Sequence, residues 1–313
     1  MSELPIKIPK LIATSVVRGS QQGDSHGGVF TIDFHSREVT QHVDWNTVQI
    51  DFRGRGWDRG LRGIEFFQGN IYIAASDELF VFDKAFTIKK SFRNPYLKHC
   101  HEIQRKDNFL FLTSTAYDSL LAFDLVHEVF SWGLYISKDI DGWKGTSFNP
   151  KLENGPPFLN SFHINSVFAD NSGLYLSGLR TGALLHVDSK FKIDKVCTLP
   201  AGVHNSRPFQ QGVIFNDTNS DTVRYVNRTG VSRAFKIIDF ETSSLINAGV
   251  DDSKIARAGF GRGLCLLNDH IIAAGSSPST ISLYDLATGQ RIAYVNMSMD
   301  IRNAIHGLEV WPY

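Results

Sequence analysis

One short pattern recurs six times along the chain: an apolar strand that ends in Asp or Asn. The copies are Val29-Phe-Thr-Ile-Asp33, Leu79-Phe-Val-Phe-Asp83, Leu120-Leu-Ala-Phe-Asp124, Ala183-Leu-Leu-His-Val-Asp188, Val223-Arg-Tyr-Val-Asn227 and Ile281-Ser-Leu-Tyr-Asp285. Asp and Asn close strands because their side chains hydrogen-bond the backbone of the following turn. Ahead of each copy lies a second apolar run, such as Ile71-Tyr-Ile-Ala-Ala75, Phe109-Leu-Phe-Leu-Thr113 or Ile271-Ile-Ala-Ala-Gly275. A further strand follows each copy, such as Glu38 to Val43 or Thr87 to Phe92. A repeat of this length built from strands predicts the blades of a propeller, each a four-stranded antiparallel sheet.

The ends of the chain point to closure. Three strands precede the first full repeat near Leu61, and one strand, Ile305 to Trp311, is left over at the C-terminus. Pairing it with the N-terminal three completes a sixth blade and removes an open sheet edge. The expected fold is therefore an all-β, six-bladed β-propeller, a single domain over 1–313. Successive strand-ending Asp/Asn positions are 50, 41, 64, 39 and 58 residues apart, so the long units carry insertions near 135–158 and 238–258. Loops of that length are where a lid or pocket wall is expected. A short helix is expected at most within Asp239 to Ala258.

The composition agrees. Phe numbers 23 and Gly 26 against 3 Met, as aromatic strands joined by glycine turns require, and 42% hydrophobic with 20% charged residues excludes global disorder. The 32 Lys and Arg balance 32 Asp and Glu, so neither nucleic acid nor an anionic membrane is an expected partner. Cys100, Cys197 and Cys265 form no CxxC pair, which fits a reducing, cytoplasmic setting. No signal peptide or transmembrane helix is expected. The triplets at Asn216, Asn227 and Asn296 match the glycosylation pattern, which has no meaning without secretion.

The first strand of a blade opens at one mouth of a propeller's channel. Read in order, these openings are Arg62-Gly-Ile, His101-Glu-Ile, His163-Ile-Asn, His204-Asn-Ser, Arg262-Gly-Leu and His306-Gly-Leu. All six begin with His or Arg, although only 11 His stand in 313 residues. Capping of strand starts accounts for any one of them; four histidines converging point to chemistry. Two chemistries fit. His101, His163, His204 and His306 are expected either to ligate a divalent transition metal (Fe, Zn, Mn or Cu) or to act as general acid and base. Arg62, Arg207 and Arg262 would hold an anionic group, and Glu102, Asn165 and Asn205 would orient the imidazoles or bind substrate.

Weaker candidates are Ser25-His-Gly-Gly28 and His99, and Trp57 or Arg59 in the loop Gly54 to Gly60, which lacks the strand-to-helix context of a phosphate loop. His35, His42, His127, His186 and His270 are expected to be structural or exposed. Alternation turns Cys100 away from whatever His101 faces.

The motifs His101-Glu-Ile, His163-Ile-Asn-Ser, Val203-His-Asn-Ser-Arg-Pro208 and Gly261-Arg-Gly-Leu264 resemble those of largely uncharacterised bacterial six-bladed β-propellers, in which HE, HLN, PHSPR and RGL signatures open successive blades. The resemblance runs from about Arg62 onward, with His-Asn-Ser-Arg here in place of His-Ser-Pro-Arg. More broadly the chain is similar to gluconolactonase, NHL-repeat and strictosidine synthase-like propellers. The gluconolactonase calcium-binding pattern of Glu, Asn and Asp does not stand at these positions, which argues against that activity. The expected function is an enzyme acting on a small anionic or polar metabolite, of lyase, cyclase, isomerase or hydrolase type. The alternatives are a non-catalytic propeller that binds a ligand or protein, and a four-histidine iron oxygenase by analogy of ligand type with carotenoid-cleaving oxygenases.

Overall fold

A computed structural model describes residues 7–46, 60–250 and 256–313. Its strands form six antiparallel sheets, five with neighbours consecutive in sequence and the sixth closed by the C-terminal strand, the arrangement of a six-bladed β-propeller. Blade 1 comprises Ile64–Phe67, Asn70–Ala74, Glu78–Phe82 and Ile88–Arg93. Blade 2 comprises Ile103–Lys106, Phe109–Ser114, Ser119–Asp124, Val129–Asp139 and a fifth strand, Gly142–Phe148. Blade 3 comprises Ile164–Asp170, Gly173–Gly178, Ala183–Val187 and Ile193–Thr198, and blade 4 Val203–Phe209, Gly212–Asp217, Thr222–Asn227 and Ser232–Lys236. Blade 5 comprises Arg262–Leu266, Ile271–Ser276, Thr280–Asp285 and Gln290–Asn296. Blade 6 is the clasp: Asn303–Val310 pairs with Leu11–Val17, which is followed by Gly28–Asp33 and Glu38–Asp44.

Each strand-ending carboxylate or amide does what its position predicts. The Oδ1 atoms of Asp33, Asp83, Asp124, Asp188, Asn227 and Asp285 each accept backbone N–H groups two to four residues on. Middle strands such as Glu78–Phe82 are buried on both faces, whereas outer strands such as Glu38–Asp44 are largely exposed. A strand packed on both sides must be apolar throughout, which is why the central runs lack polar alternation.

Two compact units are present: Met1–Arg62 with Gln210–Tyr313, hereafter unit 1, and Gly63–Phe209, unit 2. In unit 2, Leu79, Val81, Leu110, Leu112, Leu121 and Phe123 form one core cluster and Leu134, Ile164, Leu176 and Leu185 belong to another. In unit 1, Leu11, Ala13, Ile32, Ala273, Ile281 and Ile305 pack together.

The two long units differ from the expected plain loops. Residues 135–148 continue blade 2 outward: Leu134 and Ile136 stay buried, and the two-residue loop Ile140-Asp141, followed by Gly142 at φ 122°, turns the chain back as a tight hairpin. Gly133 is required opposite Phe148, whose ring would lie 2.3 Å from an added Cβ. In the second long unit the described residues contain a 3-10 turn, Thr242–Ser244, and an isolated parallel bridge from Ile246 to Asp300. Trp57 and Arg59 lie outside the described residues, as do 251–255 of the second insertion.

Candidate functional site

Unit 2 gathers three of the four predicted histidines. The ring centroids of His101 and His163 are 5.2 Å apart at 63°, and those of His101 and His204 are 6.4 Å apart. His204 lies within the first strand of blade 4 and is buried; His101 and His163 sit just before the first strands of blades 2 and 3.

Hydrogen bonds set the tautomers of the closer pair. His101 Nδ1 is 2.7 Å from the His99 carbonyl and 3.0 Å from Thr115 Oγ1. Thr115 gives its own proton to the Ile164 carbonyl at 2.6 Å, so both neighbours accept and Nδ1 carries the hydrogen. His163 Nδ1 donates to Asn160 Oδ1 at 3.0 Å, and Arg180 Nη2 donates to the same oxygen, which identifies it as the acceptor. Neutral imidazole carries one N–H, so Nε2 of each ring holds a lone pair.

The backbone before His163 hangs on one buried carboxylate. Asp118, 1% exposed, accepts the N–H groups of Ser161, Phe162 (3.0 Å) and His163 (2.8 Å). Burial raises its pKa above the usual aspartate value despite these three donors. His163 has φ 56°, and its backbone runs against Gly178, where a Cβ would lie 2.4 Å from the His163 carbonyl. A side chain at 178 would force the backbone of Phe162 and His163 to shift.

The rest of the first insertion packs on Tyr96, Tyr117 and His99. Tyr96 anchors it, its hydroxyl donating to Leu152 O (3.0 Å) and accepting from Gly155 N–H (2.7 Å). Phe158 then packs edge-on against Tyr117 at 5.3 Å and His99 at 6.3 Å.

Glu102, Asn205 and Arg207 form a polar cluster in the same unit. Glu102 Oε1 accepts from Asn205 Nδ2 at 3.1 Å and faces Arg207 Nη2 at 3.7 Å, while Oε2 accepts the Val167 N–H at 3.1 Å. Burial raises the Glu102 pKa, and the Arg207 charge pulls against it. Asn165 is committed elsewhere: it donates to the Val203 carbonyl at 3.0 Å and accepts from Ser166. The Nδ1 partners of His101 and His163 are thus His99, Thr115 and Asn160.

Arg62, Arg262 and His306 belong to unit 1, all three buried. Thr14 Oγ1 links two of these openings, donating to the Arg62 carbonyl at 2.6 Å and accepting the Gly307 N–H at 2.8 Å. Gly263, φ 74°, allows the tight approach after Arg262, since a Cβ there would lie 3.1 Å from the His306 carbonyl. His26 is fully buried, its Nδ1 on the Ser20 hydroxyl, which donates to Val17 O. His35 accepts the Ile8 N–H; His42 and His186, on strands, bond Thr31 and Ser172, and His127, in a turn, bonds Asp124. Cys100 points into the apolar core. All three cysteines are free thiols.

Asp118, Thr115, Asn160 and Phe158 were missed in sequence. Asp118 carries the nearest thing to a signal, an Asp in the tight connection between two apolar strands; it has φ 47°. Among the described residues, no group of three or more His, Cys, Asp or Glu is placed to hold a metal ion, and no helix is long and apolar enough to cross a membrane.

No protein family's sequence pattern matches the chain, and no curated protein matches it in sequence. Solved structures do resemble its fold. A protein of unknown function from Bacteroides caccae is 10% identical with a TM-score of 0.58, covering 97% of this chain and 98% of its own. A chain of a nidogen/laminin complex is 8% identical with a TM-score of 0.57, covering 96% and 97%. A catalytically inactive virginiamycin B lyase from Staphylococcus aureus with quinupristin is 10% identical with a TM-score of 0.47, covering 80% and 73%. At these identities the likeness is one of fold.

Proposed function

We propose that the chain is an enzyme acting on a small anionic or polar metabolite, with His101 and His163 as its acid–base pair. The carrying observation is the Nδ1 anchoring of both rings on acceptors, which leaves each Nε2 as a base. Two imidazoles 5.2 Å apart suit proton transfer in which one Nε2 takes a proton from the substrate and the other, once protonated, returns one. His204 joins the same cluster. Arg207 with Asn205 supplies cationic and amide donors for an anionic or polar substrate group. The chemistry is of lyase, cyclase, isomerase or hydrolase type.

A metal reading keeps one supporting observation. Nδ1 hydrogen-bonded to an acceptor is also how a histidine is held for ligation through Nε2. Among the described residues, His101, His163 and His204 are not placed as a three-ligand set, so a metal such as Fe, Zn, Mn or Cu would need them to move closer before they could hold it. Elemental analysis of untagged protein tests this directly.

Incubation with a mixture of small carboxylate and phosphate metabolites, read by mass spectrometry, tests the enzyme reading. Wild type is expected to deplete at least one compound, and His101→Gln and His163→Gln to slow this roughly a hundredfold to ten-thousandfold. Equal rates in the folded variants would overturn the role of the pair. Saturable binding without turnover would favour the non-catalytic reading.

A further inference from the structure

The segment ahead of His163 is gripped from two sides. Asp118 takes its N–H groups, those of Ser161, Phe162 and His163. Arg180, in the connection between strands Gly173–Gly178 and Ala183–Val187, takes its oxygens. Arg180 Nε donates to the Ser161 carbonyl at 2.8 Å, and Nη2 donates to the Asn160 carbonyl and, at 3.3 Å, to Asn160 Oδ1. The backbone closes the same seam: Arg180 N–H donates to Phe162 O at 3.1 Å and Leu179 N–H to His163 O at 3.3 Å.

Asn160 Oδ1 accepts twice, from His163 Nδ1 at 3.0 Å and from Arg180 Nη2. An asparagine amide has an oxygen that only accepts and a nitrogen that only donates. Turned end for end, the amide would aim its N–H groups at Arg180, donor against donor, and at His163 Nδ1, which would then have to accept. The one hydrogen of the neutral ring would move to Nε2. A guanidinium offers no acceptor and stays charged, so it permits only one orientation of the amide. At His101 the Nδ1 partners include the His99 carbonyl, a main-chain group that cannot turn end for end. Arg180 is exposed, so replacing it takes no side chain out of the core.

We propose that Arg180 is a positioning residue: by fixing the Asn160 amide it keeps the hydrogen of His163 on Nδ1 and presents the Nε2 lone pair. The two bases are thus set by different means, His101 by the main chain and His163 by an exposed cation acting through one amide. The effect on turnover rests on the acid–base reading of His163; the proton placement does not.

Long-range proton–nitrogen NMR correlation of the full chain at alkaline pH, where imidazole is neutral, provides the test. In wild type, His163 is expected to carry its hydrogen on Nδ1. Arg180→Met is expected to raise the Nε2-protonated share of His163 about tenfold and to leave His101 unchanged. Adding Asn160→Asp to that variant is expected to return the hydrogen to Nδ1, because a carboxylate has no donor end to turn inward. Should Arg180→Met fail to fold, Arg180→Ala reads the same loss. An unchanged His163 in the folded variant, a shift at both rings, or a shift that Asn160→Asp does not reverse would overturn the proposal. Wild-type His163 protonated at Nε2 would overturn it together with the acid–base reading. Turnover that survives His163→Gln would sink the acid–base reading alone and leave the role of Arg180 in proton placement intact.

Discussion

At the residue scale, the features that shape the histidine site are acceptors rather than the histidines themselves. His101 and His163 could be picked out in sequence because they open strands in a repeated register. Asp118, Thr115 and Asn160 could not, because their roles come from chain segments that meet only on folding: Asp118 is more than 40 residues from the amides it accepts. Its two oxygens satisfy three N–H groups, so Asp118→Ala leaves buried donors without partners. This variant is expected to lose on the order of 3 kcal/mol in a urea titration, and to lower turnover further than its stability loss explains, because His163 follows directly from those amides. An unchanged unfolding midpoint would contradict the anchoring role. Asn165, two residues after His163, is buried and donates to the Val203 carbonyl, a long-range contact that its sequence position does not reveal.

At the element scale, the strand-ending Asp and Asn residues were legible because an Asx turn is a local event. The turn needs an oxygen rather than a charge, as Asn227 demonstrates in blade 4. The charge adds pH dependence. Backbone N–H groups of Ser36 and His35 hold the Asp33 carboxyl below its ordinary value of 3.8, and those of Lys192 and Lys190 do the same for Asp188. A carboxylate with a lowered pKa contributes stability above its ordinary pKa and loses it as pH falls through the lowered value. Asp33→Asn is therefore expected to leave the urea midpoint at pH 7 close to wild type and to reduce the loss between pH 4 and pH 2. An unaltered acid limb would contradict this. The fifth strand of blade 2 was harder to read: the alternation of Leu134 and Ile136 runs on past the usual strand end, and the length of the insertion alone suggested a loop.

At the scale of the whole molecule, six repeats and one leftover strand were enough to predict six blades and the clasp, because a sheet with an open edge is what closure removes. The neutral net charge was a weaker guide, since it averages over clusters such as Arg18 and Arg262 on the Phe260 ring and turns such as Asp33 and Asp285. What repeats cannot specify is proton placement, and the functional proposal depends on it. Long-range proton–nitrogen NMR correlation of the imidazoles at neutral and alkaline pH, assigned with His101→Gln and His163→Gln, reads that placement directly. The account predicts that both rings, when neutral, carry hydrogen on Nδ1 and none on Nε2. Neutral rings protonated at Nε2 would contradict it, because neither histidine would then present the base on which the acid–base pair rests.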